Sequence, residues 1–376
     1  MNIIADSNIP CVEEAFSAFG RVAPVSGREI RRDILTDAEM LLVRSVTKVN
    51  RELIENTPIK FVGTTTIGTD HIDMAYLKSR GIGFAAAPGS NARSVAQYVV
   101  CALATISRSL ALDLRGNVMG IIGAGNVGSR VAPLAQTLGM RCLFNDPPLQ
   151  KTRGKGFASL EETLASADVI SMHVPLSAAG LYPTLHMADE LFFDTMKPGA
   201  LFINTSRGSV VSEEALRTRR KKLAGVILDV WENEPSINKS TMAMADIATP
   251  HIAGHSFDGK INGTYMIYAA ACDYFHRAMT WTPDIAGHPV ANTIDARASS
   301  DPFFHALQSA YPLMDDDRLL REIAVKQNGP AYFDHLRNTY RKRYEFRHYT
   351  VLYSPQQSGE ADALKRLGFN VQETHP

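Results

Sequence analysis

The stretch Asn117-Val118-Met119-Gly120-Ile121-Ile122-Gly123-Ala124-Gly125-Asn126-Val127-Gly128 decides the fold. Its apolar, partly β-branched opening predicts a strand over 117–122. Gly123, Gly125 and Gly128 follow. The first glycine permits a tight turn, the second lets the backbone approach a pyrophosphate, and the third lets helix and strand pack closely. A helix is expected next, with Val127, Val131, Leu134 and Leu138 at near-helical spacing. Its N-terminus would present N–H donors and a partial positive charge to an anion. Asp146 lies about 20 residues on, after the apolar run Cys142-Leu143-Phe144-Asn145. A carboxylate there accepts hydrogen bonds from ribose hydroxyls and repels a 2′-phosphate, which favours NAD over NADP.

Outward from this turn, apolar runs recur at Val169-Ile170-Ser171-Met172, Ala200-Leu201-Phe202-Ile203 and Val226-Ile227-Leu228-Asp229. Ser159, with Glu162 three residues on, predicts a capped helix between two of them. Strands alternating with helices at this spacing predict a doubly wound parallel sheet. One local rule is broken. Pro133 falls inside the helix after the glycines, where it removes a hydrogen bond at a cost of about 3 kcal/mol, so a bend is expected near Val131.

Residues 1–92 show the same alternation, with Met40-Leu41-Leu42-Val43, Ile59-Lys60-Phe61-Val62-Gly63 and Gly83-Phe84-Ala85-Ala86-Ala87 closed by Pro88-Gly89. A long helix over 92–107, with Val95, Val99, Ala102, Leu103 and Ile106 on one face, leads into the next domain. Trp281-Thr282-Pro283-Asp284 reads as a linker, and residues 347–371 read strand–helix–strand with Ala361, Leu364 and Leu367 facing a core. The expected class is α/β. Two doubly wound parallel-sheet domains, a flavodoxin-like substrate domain (1–92 and 256–280) and a Rossmann domain (93–255), precede a small α+β C-terminal domain (281–376).

Bulk properties narrow the function. The 376 residues suffice for two or three domains, and the formal net charge is zero, so no global field draws the chain to nucleic acid or membrane. No apolar run approaches the roughly 20 residues of a membrane span. The four cysteines are far apart and form no CxxC pair, so neither disulfides nor a metal site is expected and a cytoplasmic setting fits. The opening residues Met1-Asn2-Ile3-Ile4-Ala5-Asp6 read as a strand, not a signal peptide. A basic helix is expected over 332–344, where Arg337, Arg341, Lys342 and Arg343 interleave with tyrosines. With zero net charge it reads as a solvated or dimer-lining face before an RNA surface.

Three residues that follow predicted strands carry the chemistry. Arg207, in Asn204-Thr205-Ser206-Arg207-Gly208, can grip a carboxylate in bidentate fashion and polarise a ketone oxygen. Glu234 and His251 follow the next two strands. Histidine suits proton exchange near neutral pH, where positioned acid–base catalysis contributes roughly 10²–10⁴-fold. All three sit where ligands of such sheets bind. The arrangement suggests hydride transfer between NAD and the hydroxyl carbon of a carboxylic acid.

From about Arg44 to Gly263 the chain resembles the D-isomer-specific 2-hydroxyacid dehydrogenases. The resemblance rests on Val43-Arg44-Ser45-Val46-Thr47-Lys48-Val49-Asn50, Gly68-Thr69-Asp70-His71, Asp146-Pro147-Pro148, Gly180-Leu181-Tyr182-Pro183-Thr184-Leu185-His186, Leu228-Asp229-Val230-Trp231-Glu232 and His251-Ile252-Ala253-Gly254. It implies oxidation of a phosphorylated 2-hydroxy acid, 4-phospho-D-erythronate, to its 2-oxo acid on the way to pyridoxal phosphate. It implies Arg207, Glu234 and His251 as the catalytic residues. Ser45 and Thr66 match positions that touch substrate. Asp146, Val174, Thr205, Ser206, Arg207, Asp229 and Gly254 match cofactor contacts beside Gly123, Gly125, Asn126, Val127 and Gly128. His255 stands where a substrate-binding tyrosine is usual, and Val174 can offer only its backbone. A homodimer through the C-terminal region is also implied. Arg44 and Lys48, at a strand end across the expected cleft, are candidate phosphate ligands, the alternative being ordinary surface charges. The trio leaves 3-phosphoglycerate, glycerate and other 2-hydroxy acids open, and a nucleotide sensor of this fold without turnover remains a second class.

Overall fold

A computed structural model describes residues 1–284 and 292–374. They form two compact units, one of residues 1–91 with 256–284, the other of residues 92–255 with 292–374.

The first unit is built on a parallel sheet of order β2-β1-β3-β4-β5. Its strands are β1 (Asn2–Asp6), β2 (Arg21–Val25), β3 (Met40–Val43), β4 (Phe61–Thr64) and β5 (Gly83–Ala85). The run Met40-Leu41-Leu42-Val43 is buried throughout, as a central strand covered on both faces must be. The helix Phe257–Tyr274 returns to this unit and buries Ile267 and Tyr268 in its core. Trp281 corrects the sequence reading. It is 8% exposed, packs edge-on to Tyr268 at 5.6 Å, and donates its indole N–H to Glu14 at 2.9 Å. An indole with its large apolar face and single donor belongs in such a site more than in a solvated linker.

The second unit holds a six-stranded sheet of order β11-β10-β9-β8-β6-β7, all parallel. Its strands are β6 (Val118–Ile122), β7 (Arg141–Asn145), β8 (Val169–Met172), β9 (Leu201–Asn204), β10 (Gly225–Leu228) and β11 (Ile247–Ala248). The order reverses at β6, whose Ile122 is level with Asn145 on one side and Met172 on the other. The C-terminal edge there is the topological switch point where such sheets take ligands. The helix after the glycines runs from Gly128 to Thr137 without interruption at Pro133, and its first turn precedes the proline.

The C-terminal strands β12 (Asn292–Asp295), β13 (Tyr349–Tyr353) and β14 (Asn370–Glu373) form a small parallel sheet. The helix Ser358–Leu367 joins the last two and buries Ala361, Leu364 and Leu367. This region shares a core with the helix Ala92–Ser109: Tyr98 and Ile106 belong to the same apolar cluster as Leu307, Tyr311 and Phe346. The helix is therefore buried on more than the one face expected from its periodicity. The basic segment also departs from expectation. Its helix ends at Asn338, and Arg343 beyond it is only 5% exposed. Among the described residues no helix is long and apolar enough to cross a membrane.

Candidate active site

The glycine turn sits at the C-terminal end of β6. Gly123 has φ 94°, and a Cβ there would stand 2.7 Å from the carbonyl oxygen of His173. A Cβ on Gly128 would stand 2.0 Å from the carbonyl oxygen of Gly123. These two glycines are required by the chain itself. Gly125 differs, because a Cβ there would meet no protein atom within 4 Å. Nothing in the protein excludes a side chain at Gly125, and in turns of this kind the second glycine is the one that a pyrophosphate approaches. Asp146 accepts the backbone N–H groups of Ala124 at 2.8 Å and Leu149 at 2.9 Å. It thus ties the end of β7 to the turn, and each oxygen keeps a lone pair for a ribose hydroxyl. Val174 lies against the same turn, its Cγ1 3.0 Å from the position of a Gly123 Cβ.

His173, which the sequence reading passed over, stands at the end of β8 beside these residues. One ring nitrogen meets Ser171 Oγ at 2.9 Å and the other Thr205 Oγ1 at 3.3 Å. Burial pushes its pKa down to about 3, so the ring is neutral. Its position directly after a buried strand at the switch point was the available signal.

The loop after β9 is organised by Asn204, whose side-chain oxygen accepts both the N–H and the hydroxyl of Ser206. Its amide nitrogen donates to the Arg207 carbonyl at 3.0 Å. Arg207 itself donates from Nη1 to the Ser206 carbonyl at 2.8 Å. The next residue fixes how this loop meets the one after β10. A Cβ on Gly208 would come 1.9 Å from the carbonyl carbon of Trp231. Thr205, Ser206 and Arg207 are therefore held against the segment that leads to Glu234.

Glu234 and His251, 17 residues apart in the chain, meet at 2.7 Å through Oε2 and Nδ1. The other Glu234 oxygen accepts the Trp231 N–H at 2.8 Å. Burial pushes the Glu234 pKa up, but His251, Arg337 and the Trp231 N–H together outweigh it and hold the carboxyl below its ordinary value. An ionised carboxylate only accepts, so Nδ1 of His251 carries the shared proton and Nε2 is left for another partner. His251 itself has φ 55°, with its N–H bonded to the Asp229 carbonyl at 2.7 Å.

Asp229 is 1% exposed and accepts Thr249 Oγ1, Ile252 N and Ala253 N. Its carboxylate thus serves the His251 loop, with Gly254 next in chain. Burial raises its pKa above the ordinary value. His255 lies edge-on to Tyr340 at 5.8 Å, and its carbonyl accepts Arg343 Nε at 3.2 Å. His186, in the 180s loop, meets Glu232 Oε1 at 2.6 Å.

The remaining candidates lie in the first unit. Val43 is level with Thr64, so Arg44, Ser45 and Thr66 follow the ends of adjacent strands at one sheet edge. Arg44 donates from Nε to the buried Asp6 at 3.0 Å. Thr66 Oγ1 donates to the Gly68 carbonyl at 2.8 Å, and Ser45 and Lys48 are exposed. Among the described residues no group of three or more His, Cys, Asp or Glu side chains is placed to hold a metal ion.

Residues 93–253 match the family described as D-isomer specific 2-hydroxyacid dehydrogenase, NAD binding domain. Residues 290–368 match a domain of unknown function, DUF3410. The chain is 44% identical over 368 residues to the erythronate-4-phosphate dehydrogenase of Salinibacter ruber, covering 93% of this chain and 94% of that protein. It is 40% identical to the one of Pseudomonas syringae pv. tomato, covering 98% of each. Among solved structures, D-lactate dehydrogenase from Aquifex aeolicus in complex with NAD and lactic acid superposes with a TM-score of 0.61 at 27% identity. That likeness covers 73% of this chain and 96% of the other. Because the sequence similarity extends through both units and beyond the nucleotide-binding sheet, the chain belongs to the D-isomer specific 2-hydroxyacid dehydrogenase family and is an NAD-dependent dehydrogenase.

Proposed function

We propose that the chain oxidises 4-phospho-D-erythronate to 3-hydroxy-2-oxo-4-phosphobutanoate, a step toward pyridoxal phosphate. The names of its relatives support the substrate, and the hydrogen-bonded His251–Glu234 pair carries the chemistry. NAD, when bound, supplies the ring carbon that accepts the hydride from the substrate's hydroxyl carbon. His251 Nε2 takes the hydroxyl proton, and Glu234 stabilises the imidazolium that results. Arg207 grips the substrate carboxylate and polarises the oxygen that becomes the ketone. In the reverse direction His251 returns the proton.

The cofactor is assigned to Gly123, Gly125, Asn126, Val127, Gly128, Asp146, Val174, Thr205, Ser206, Arg207, Asp229 and Gly254. Substrate contacts are assigned to Ser45, Thr66 and His255, with Arg44 and Lys48 on the phosphate. The Arg44–Asp6 bond supports this for Arg44, since it uses Nε and leaves the Nη edge for a phosphate. The domain division at 92, 255 and 280, a homodimer through the C-terminal region and a cytoplasmic location complete the reading.

A single-turnover assay of the NAD-loaded protein tests it. Nicotinamide absorbance is followed after mixing with 4-phospho-D-erythronate or with 3-phospho-D-glycerate. Fast reduction by phosphoerythronate alone is expected. Reduction by phosphoglycerate alone would keep the chemistry and overturn the substrate. A single turnover is needed because slow product release can mask the chemical step.

A further inference from the structure

The loop that carries His251 is gripped by buried charges on both sides of its backbone. Asp229 takes the N–H side, accepting Ile252 N at 2.8 Å and Ala253 N at 3.0 Å. Arg343 takes the carbonyl side. Its Nη2 donates to Ala253 O at 2.6 Å and Ile252 O at 3.4 Å, and its Nε donates to His255 O at 3.2 Å. Arg343 lies 90 residues beyond Ala253 in the chain, in the C-terminal region. Its guanidinium stacks over the buried Tyr311 ring at 4.1 Å. Tyr311 neighbours Tyr98 at 6.1 Å, and the Tyr98 hydroxyl meets Thr249 Oγ1 at 2.7 Å. Thr249 in turn donates to Asp229 at 2.6 Å. The contacts close a ring around the loop.

Desolvating a guanidinium is costly, so an apolar side chain would fill this space more readily. What it could not do is offer planar donors to a short run of carbonyls. That run follows His251, whose φ of 55° is uncommon for a residue with a side chain and persists only where the surroundings over-determine it.

We propose that Arg343 is a positioning residue of the dehydrogenase, its guanidinium holding the Ile252, Ala253 and His255 carbonyls so that His251 Nε2 stands where it takes the substrate proton. The proposal rests on the reading of His251 as proton carrier. It makes the C-terminal region a working part of the active site in its own chain.

Full-length Arg343→Met and Arg343→Lys would be compared with His251→Gln, using 4-phospho-D-erythronate and its 2-deuterated form. Arg343→Met is expected to keep its NAD affinity and KM while kcat falls roughly 10²-fold, the scale of a misplacement of about 1 Å. Its deuterium isotope effect on kcat should rise as the chemical step becomes limiting. Arg343→Lys should recover part of kcat, because an ammonium reaches some of the same carbonyls. An unchanged kcat in Arg343→Met overturns the proposal. So does a joint loss of folding, NAD affinity and kcat in both variants, which marks the arginine as structural only. His251→Gln separates the two readings. If it retains full kcat, the proton-carrier role fails whatever Arg343 does.

Discussion

His173 and His251 show how one residue type takes different roles from its neighbours. His251 meets a carboxylate held below its ordinary pKa, and the pair is the proposed proton carrier. His173 meets only hydroxyls, and burial takes its pKa down to about 3. The unfolded chain binds a proton at this histidine below about pH 6.5, whereas the folded chain does not until about pH 3. Stability is therefore complete above about pH 6.5 and falls as pH drops through that window, by about 1.4 kcal/mol per unit. His173→Asn should lessen the stability lost between pH 7 and pH 5 by about 2 kcal/mol in urea titrations. Equal losses in the two proteins would show that His173 titrates normally.

Within the strand–turn–helix unit, two glycines stand where a Cβ would clash with the protein and one, Gly125, stands where it would not. Gly128→Ala would drive a methyl to 2.0 Å from the Gly123 carbonyl, while Gly125→Ala meets no protein atom within 4 Å. Gly128→Ala should lose at least the roughly 1–3 kcal/mol of an overpacked site together with NAD binding. Gly125→Ala should keep its thermal midpoint and lose NAD affinity alone. Thermal melts with and without NAD distinguish the two, and an unaltered NAD-induced shift in Gly125→Ala would remove the pyrophosphate from this turn.

For the whole molecule, the C-terminal region is built into the core of the second unit. Leu307, Tyr311 and Phe346 share a core with the helix Ala92–Ser109, and Arg343 reaches the His251 loop. A chain ending at Thr280 should therefore expose apolar surface and aggregate or lose its cooperative transition. Light scattering and calorimetry of the truncated and full-length proteins check this. A soluble, monomeric, cooperatively folding truncation would instead make the region a detachable dimerisation module.

Elements whose signals are local are legible in the order of residues alone. Met40-Leu41-Leu42-Val43 and Val169-Ile170-Ser171-Met172 read as strands because chain covered on both faces must be nearly continuous in apolar residues. Gly123 and Gly128 read as a turn because backbone conformation and close approach exclude a side chain. The glycine turn and the position of each catalytic candidate after a strand were legible for the same reason. Long-range packing sets the pairing of Glu234 with His251, the neutral His173, the end of the basic helix at Asn338, and the burial of Trp281 and Arg343. Whether a polar side chain leaves water depends on the partners it finds there, and these partners come from distant parts of the chain. Arg343 and Trp281 carry ordinary local signals of a surface helix and a linker; carbonyls 90 residues away and Glu14, 267 residues away, make their burial possible.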